Sequence, residues 1–167
     1  MNKKRILLVD DEISFTRLLK LNLEQTDDYE VRVENWAEDA LAAAREFRPD
    51  LVLLDVVMPR MIGGDVAARL QADDDLKTTP IVFLSAAVGR KWVEEHDGIV
   101  GNFPFIAKPA SVEEVIDRME RLLTKESSVD RRSDPSGSSM PERNGQPSAR
   151  SHSQLSGNLV AVAFNYS

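Results

Sequence analysis

Three aspartates, a serine and a lysine stand at or just beyond the ends of four short apolar runs. Asp10 and Asp11 follow Ile6-Leu7-Leu8-Val9, Asp55 follows Leu51-Val52-Leu53-Leu54, Ser85 follows Ile81-Val82-Phe83-Leu84, and Lys108 closes the stretch from Phe103, just before Pro109. Carboxylates gathered in one place repel one another unless protons or a cation compensate. All-oxygen ligands suit Mg²⁺, which keeps several waters and adds substrate phosphate oxygens. A metal held there would set a phosphoryl group against one carboxylate and disperse its charge, as in-line transfer to an oxygen nucleophile requires. Ser85 would add a hydroxyl donor and Lys108 a positive charge opposite a phosphoryl oxygen. Taken singly, each residue has a plainer reading: Asp55 as a turn cap before Pro59, Ser85 as a turn residue, Lys108 as a solvated lysine. The chemistry needs the run ends to lie side by side.

The elements between them supply that arrangement. Wholly apolar runs of four residues read as strands buried on both faces of a parallel sheet. Ile13 to Gln25 places Phe15, Leu18, Leu19 and Leu23 near helical spacing, and Tyr29 to Val33 alternates as an outer strand would. Ala37 to Phe47 is rich in Ala and Leu and predicts a helix stopped before Pro49. Gly63-Gly64 leads into a short helix through Val66, Ala67 and Leu70, and Ala86 to Glu95 predicts another, weakened by Gly89. Pro104 inside the last strand argues for a sheet edge, because it cannot donate to a ladder. Ser111 to Glu114 has the capping-box pattern, and Val115, Ile116, Met119, Leu122 and Leu123 form the stripe of a closing helix. Strand and helix thus alternate five times, which predicts an α/β fold: a doubly wound five-stranded parallel sheet over residues 1–125. A flavodoxin-like strand order of 2-1-3-4-5 would set the ends of strands one and three, carrying Asp10, Asp11 and Asp55, together at the switch point.

Composition narrows the classes. The net charge is −7, all of it within residues 1–125, and argues against direct binding of nucleic acid. The absence of cysteine excludes disulfide scaffolds, thiol catalysis and zinc–thiolate sites. No apolar run is long enough to span a membrane, and the apolar stretch after Met1-Asn2-Lys3-Lys4-Arg5 is too short for a secretory signal, so a cytoplasmic location is expected. Residues 126–167 turn to Ser, Pro and Gly, which predicts a low-complexity, disordered tail. Near its end Leu159 to Phe164 is apolar again, and reads either as a docking segment or as an end with no role.

Residues 4 to about 125 resemble the receiver domain of bacterial two-component response regulators. The resemblance rests on Val9-Asp10-Asp11-Glu12, Leu54-Asp55-Val56-Val57-Met58-Pro59 with Gly63, Leu84-Ser85-Ala86, and Gly101 with Phe105-Ile106-Ala107-Lys108-Pro109, and on the 30-residue step from Asp55 to Ser85. It implies that Asp55 is the phosphoacceptor, receiving phosphate from a histidine kinase or a histidine phosphotransfer protein in a phosphorelay. Asp11 and Asp55 would bind Mg²⁺ directly, Asp10 through water, and Val57 through its main-chain carbonyl. Lys108 would pair with the phosphoryl group, and Ser85 would bond a phosphoryl oxygen and draw its loop inward. Phe105 occupies the position of a switch aromatic, although a strand aromatic is more often plain packing. The face made by the fourth helix, fifth strand and fifth helix would then present a changed surface to a downstream protein partner. That face is also a candidate for pairing two copies.

Several positions depart from the family's pattern. Ile62 stands where an acid is frequent, and Pro104 directly precedes the switch position. Val57 and Ala87 flank the expected water path and are both apolar, which predicts slow self-dephosphorylation. Nothing after residue 125 reads as an output domain, so a stand-alone receiver is expected; the resemblance implies that it promotes its own phosphorylation and is not a conventional enzyme. The competing readings are an unphosphorylated pseudo-receiver acting as a scaffold and a dehalogenase-like phosphatase. The second is disfavoured because Val57 stands where that class has its acid/base. A flavodoxin-like flavin site is disfavoured because no Gly/Ser/Thr-rich phosphate loop follows the first strand.

Overall fold

A computed structural model of the chain describes residues 3–86, 99–100 and 103–129. Its frame is a sheet built on the apolar runs: β1 (Lys4–Val9), β2 (Tyr29–Glu34), β3 (Leu51–Asp55), β4 (Ile81–Ser85), β5 (Ile99–Val100) and β6 (Phe103–Ala107). The spatial order is β2-β1-β3-β4-β6-β5. All pairings are parallel except the last, where two-residue β5 lies antiparallel on β6. The five parallel strands therefore take the expected 2-1-3-4-5 order. The edge assigned to Pro104 is partly covered, since Ile99 of β5 pairs with it.

Side chains along the central strands alternate between two core layers, the period of two that a pleated strand imposes. Leu7 and Val9, Val52 and Leu54, and Ile81 and Phe83 face one layer. Ile6 and Leu8, Leu51 and Leu53, and Val82 and Leu84 face the other. The helices α2 (Ala40–Phe47) and α3 (Gly63–Gln71) cover the first layer through Ala40, Ala43, Ala44, Val66, Ala67 and Leu70. The second is covered by α1 (Ile13–Gln25) and α4 (Val112–Val129) through Leu19, Leu23, Val115 and Met119. Burying each large aliphatic residue contributes about 1.5–3 kcal/mol.

Local chemistry sets the element ends. A 3₁₀ turn at Ala37–Asp39 precedes α2, so the expected helix from Ala37 divides in two. Arg48 ends α2 in a left-handed conformation (φ 50°), its N–H bonded to the Ala44 carbonyl at 2.8 Å. The hydroxyl of Ser111 accepts the Glu114 N–H at 3.2 Å and caps α4, as the capping-box pattern requires. On α1 the buried stripe is Thr16, Leu19 and Leu23, whereas Leu18 is 62% exposed, against the sequence expectation.

Ala87, Gly89, most of the helix expected over residues 86–95, the segment His96-Asp97-Gly98, and Gly101 lie outside the described residues, as do residues 130–167, which hold most of the expected tail. No described helix is long and apolar enough to cross a membrane.

Candidate functional site

The register of the sheet brings the acidic residues together. Val9 pairs with Leu54, so Asp10 and Asp55, one residue further on, emerge side by side from β1 and β3. Ser85 pairs with Ala107, which sets Ser85 and Lys108 on the adjoining strand ends. The Lys108 N–H donates to the Ser85 carbonyl at 2.8 Å, and the Val56 N–H to the Leu84 carbonyl at 3.1 Å, tying these ends together. Each of Asp10, Asp11 and Asp55 offers a carboxylate oxygen within 4.8 Å of the others.

Their environments differ. Asp10 is fully buried and Asp55 is 6% exposed, while Asp11 faces solvent. One oxygen of Asp10 accepts the Glu12 N–H at 2.9 Å, and its carbonyl accepts Asn35 Nδ2 at 2.6 Å. The same Asn35 nitrogen donates to Thr16 Oγ1 at 3.1 Å, fastening the turn after β2 to the start of α1. Lys108 reaches into the pocket, pairing with Asp10 Oδ2 and lying 3.3 Å from Asp55 Oδ1. Burial pushes the Asp55 carboxyl up to about 6; the Lys108 charge opposes this and the neighbouring Asp10 and Asp11 charges reinforce it. Burial alone would lower the Lys108 pKa, but the hydrogen bond to Asp10 and the Asp55 and Asp10 charges outweigh it, and the net shift is upward.

Close packing fixes the floor of the pocket. Gly63 lies so near the end of β3 that a Cβ there would sit 2.1 Å from the Asp55 carbonyl oxygen. Its N–H donates to the Val56 carbonyl at 2.9 Å. Among the expected site residues, Val57 is 56% exposed in the turn after Asp55. Ser85 is buried at the end of β4. Phe105 is buried away from the pocket, stacked on Phe83 at 5.0 Å between ring centroids, while Phe103 meets Phe83 edge-on at 5.2 Å.

Asn35 and Phe15 were not singled out as site residues by the sequence. Asn35 reads as an ordinary loop residue after a strand, and Phe15 as one member of a helical stripe. The signal for Phe15 was position alone, since it lies five residues beyond Asp10, whereas Asn35 follows β2, a strand end that carries none of the three aspartates.

A doubly wound parallel sheet with three carboxylates and a lysine gathered at its switch point defines an α/β module with an acidic pocket. Three carboxylates facing one lysine leave an excess of negative charge. All the acidic donors are oxygens, so the set fits a hard divalent cation.

Residues 6–120 match the family model described as the response regulator receiver domain. The chain belongs to that family, and so to two-component signalling, whose receivers are not conventional enzymes. It is 34% identical over 126 residues to the transcriptional regulatory protein ResD of Bacillus subtilis, covering 75% of this chain and 50% of that protein. To the probable transcriptional regulator ycf27 of Cyanophora paradoxa it is 36% identical over 126 residues, again covering 75% and 50%. It thus spans about half the length of the curated relatives it matches. Among solved structures it is similar to the chemotaxis response regulator CheY4 of Vibrio cholerae, with 29% identity, a TM-score of 0.61, and coverage of 72% of this chain and 99% of that one. A receiver domain protein from Methanospirillum hungatei, 21% identical with a TM-score of 0.64, shares the fold over 77% of this chain and 99% of its own.

Proposed function

We propose that this chain is a phosphoacceptor receiver in which Asp55 takes a phosphoryl group from a histidine kinase or a histidine phosphotransfer protein. The observation that carries this reading is the pairing of a buried Asp55, in reach of two further carboxylates, with Lys108 at 3.3 Å. Asp11 and Asp55, Asp10 through water, and the Val57 main-chain carbonyl would hold Mg²⁺. When bound, the ion supplies charge neutralisation for the phosphoryl oxygens.

The chain's own residues do the rest. An Asp55 carboxylate oxygen attacks phosphorus in line; the new P–O bond forms as the P–N bond to the donor imidazole breaks, and the electron pair returns to that nitrogen. Lys108 shifts from the two carboxylates to the charge that arrives on the phosphoryl oxygens. Ser85 donates its hydroxyl to one of those oxygens and draws the loop after β4 inward. Phe105, stacked beneath Phe83 on the neighbouring strand, lies in register with β4 to sense that movement. The altered face then selects a downstream protein in the cytoplasm, either as a monomer or by pairing with a second copy. Residues 1–125 form the switch. Apolar Val57 at the pocket mouth favours a long-lived acyl phosphate, and a lifetime of only seconds would contradict that.

The test is intact-mass analysis after incubation with acetyl phosphate. Gain of one phosphoryl group, lost in Asp55→Asn and without Mg²⁺, is the expected result. Failure of wild type to be modified by acetyl phosphate and by phosphorylated histidine donors alike would instead favour a scaffold that signals through its unmodified surface.

A further inference from the structure

Lys108 carries three N–H donors on a side chain only 11% exposed. The pocket gives it two carboxylates, Asp10 and Asp55. Among the described residues it also meets an aromatic face: the ammonium nitrogen lies 4.5 Å from the centroid of the Phe15 ring. That ring is not a loose surface group. It is half-buried and packed against the core layer of Ile6, Leu8, Leu19 and Leu23, so the core sets where its face points. It also stands on the first turn of α1, three residues beyond Glu12, whose N–H is bound by Asp10.

We propose that Phe15 is a positioning residue, whose ring face holds the Lys108 ammonium by a cation–π contact at the edge of the acidic pocket. Three supports, two carboxylates and one ring, keep the ammonium inside the pocket while shielding it from water. A cation is attracted to the negative face of an aromatic ring, and the attraction strengthens where water is excluded. The ring offers no hydrogen-bond acceptor and no charge. It can therefore hold the ammonium without competing as a carboxylate would when Lys108 shifts towards an arriving phosphoryl group. An aliphatic residue of similar bulk at position 15 would fill the core but leave that side of the ammonium without an attractive partner.

The role in phosphoryl transfer rests on the receiver reading above; the ring–ammonium contact itself does not. The experiment introduces phenylalanines with progressively more ring fluorines at position 15 of the full chain, alone and with Lys108→Met. Fluorination drains the ring's negative face with little change of shape, so simple packing would not follow it. The urea midpoint is expected to fall stepwise with fluorination in the Lys108 protein and to stay flat with Lys108→Met. Parallel, or equally flat, lines in the two backgrounds would overturn the contact. With acetyl phosphate as donor, the phosphorylation rate is expected to fall about three- to tenfold across the series and in Phe15→Leu, and to recover in Phe15→Tyr. A fluorination-dependent midpoint with an unchanged rate would overturn the positioning role. A wild-type chain that is never phosphorylated would overturn the receiver reading, and with it that role, while leaving the contact to be judged by the midpoints alone.

Discussion

From Leu51 to Leu54, strand β3 carries four side chains no more than 1% exposed, all packed into the two core layers; one residue further on, at Asp55, the same strand buries a carboxylate. Strand β1 repeats the change between Val9 and Asp10, and β4 between Leu84 and Ser85. The strand bodies gain free energy from leaving water, and the strand ends give some of it back. Burial of an ionised carboxylate is costly, and a single lysine shared between two of them offsets only part of the cost. The two buried acids divide that cost unequally. Asp10 is pinned by Lys108 and the Glu12 N–H, and its backbone by Asn35. Among the described residues Asp55 has Lys108 at 3.3 Å as its ion-pair partner, and its pKa rises to about 6. The well-supported acid is built to stay in place, and the poorly supported one gains most from a change of charge around it.

Breaking a strand body should have the largest effect on stability. Leu54→Ala removes a fully buried side chain from the layer beneath α2 and α3 and is expected to cost about 3–4 kcal/mol in urea unfolding. Gly63→Ala joins the two regions, because its Cβ would meet the Asp55 carbonyl, a backbone atom with no rotamer to yield. A loss of about 3 kcal/mol is expected, together with a lower phosphorylation rate. Full stability in Gly63→Ala would show that the end of β3 is softer than its packing implies.

The strand ends sharpen the comparison with the opposite sign. Asp55→Asn should stabilise the metal-free protein at pH 7 by about 1–3 kcal/mol, using 1.36 kcal/mol per pKa unit. The folded-state pKa of about 6 lies above the ordinary 3.8, so the folded chain binds more protons between those values. Wild type should therefore lose stability as pH rises from about 4 to about 6 and change little from this group above that, and Asp55→Asn should remove that part of the slope. Millimolar Mg²⁺ should raise the wild-type midpoint and leave the variant's little changed. Asn35→Ala, which unties Asp10 from Thr16, should cost about 1 kcal/mol. Smallest is Arg48→Gly, at the C-terminal end of α2, where relief of the left-handed φ of 50° should be worth no more than about 0.5–1 kcal/mol.

The strand bodies were legible because double-sided burial leaves an uninterrupted apolar run, and the ends because a charge terminating such a run has few structural uses. Alternation of strand and helix then fixed which ends are neighbours. Contacts that depend on three-dimensional reach were not legible. Asn35 acts through two hydrogen bonds across the turn, and no periodicity records them. Leu18 was assigned to the core of α1 in place of Thr16, since hydrophobicity hides the fact that a threonine can be buried when its hydroxyl bonds Ile13 and Asn35. Strand β5 has only two residues, too few to form any pattern.

The account's central claim is that, of the two buried aspartates, Asp55 and not Asp10 is the acceptor. Phosphorylating the chain, reducing the acyl phosphate with borohydride and mapping the peptides by mass spectrometry tests it directly, because hydride converts an aspartyl phosphate to homoserine with release of phosphate. Homoserine at position 55 alone is the predicted result. Homoserine at position 10 or 11, or at none of the three after confirmed phosphorylation, would contradict it.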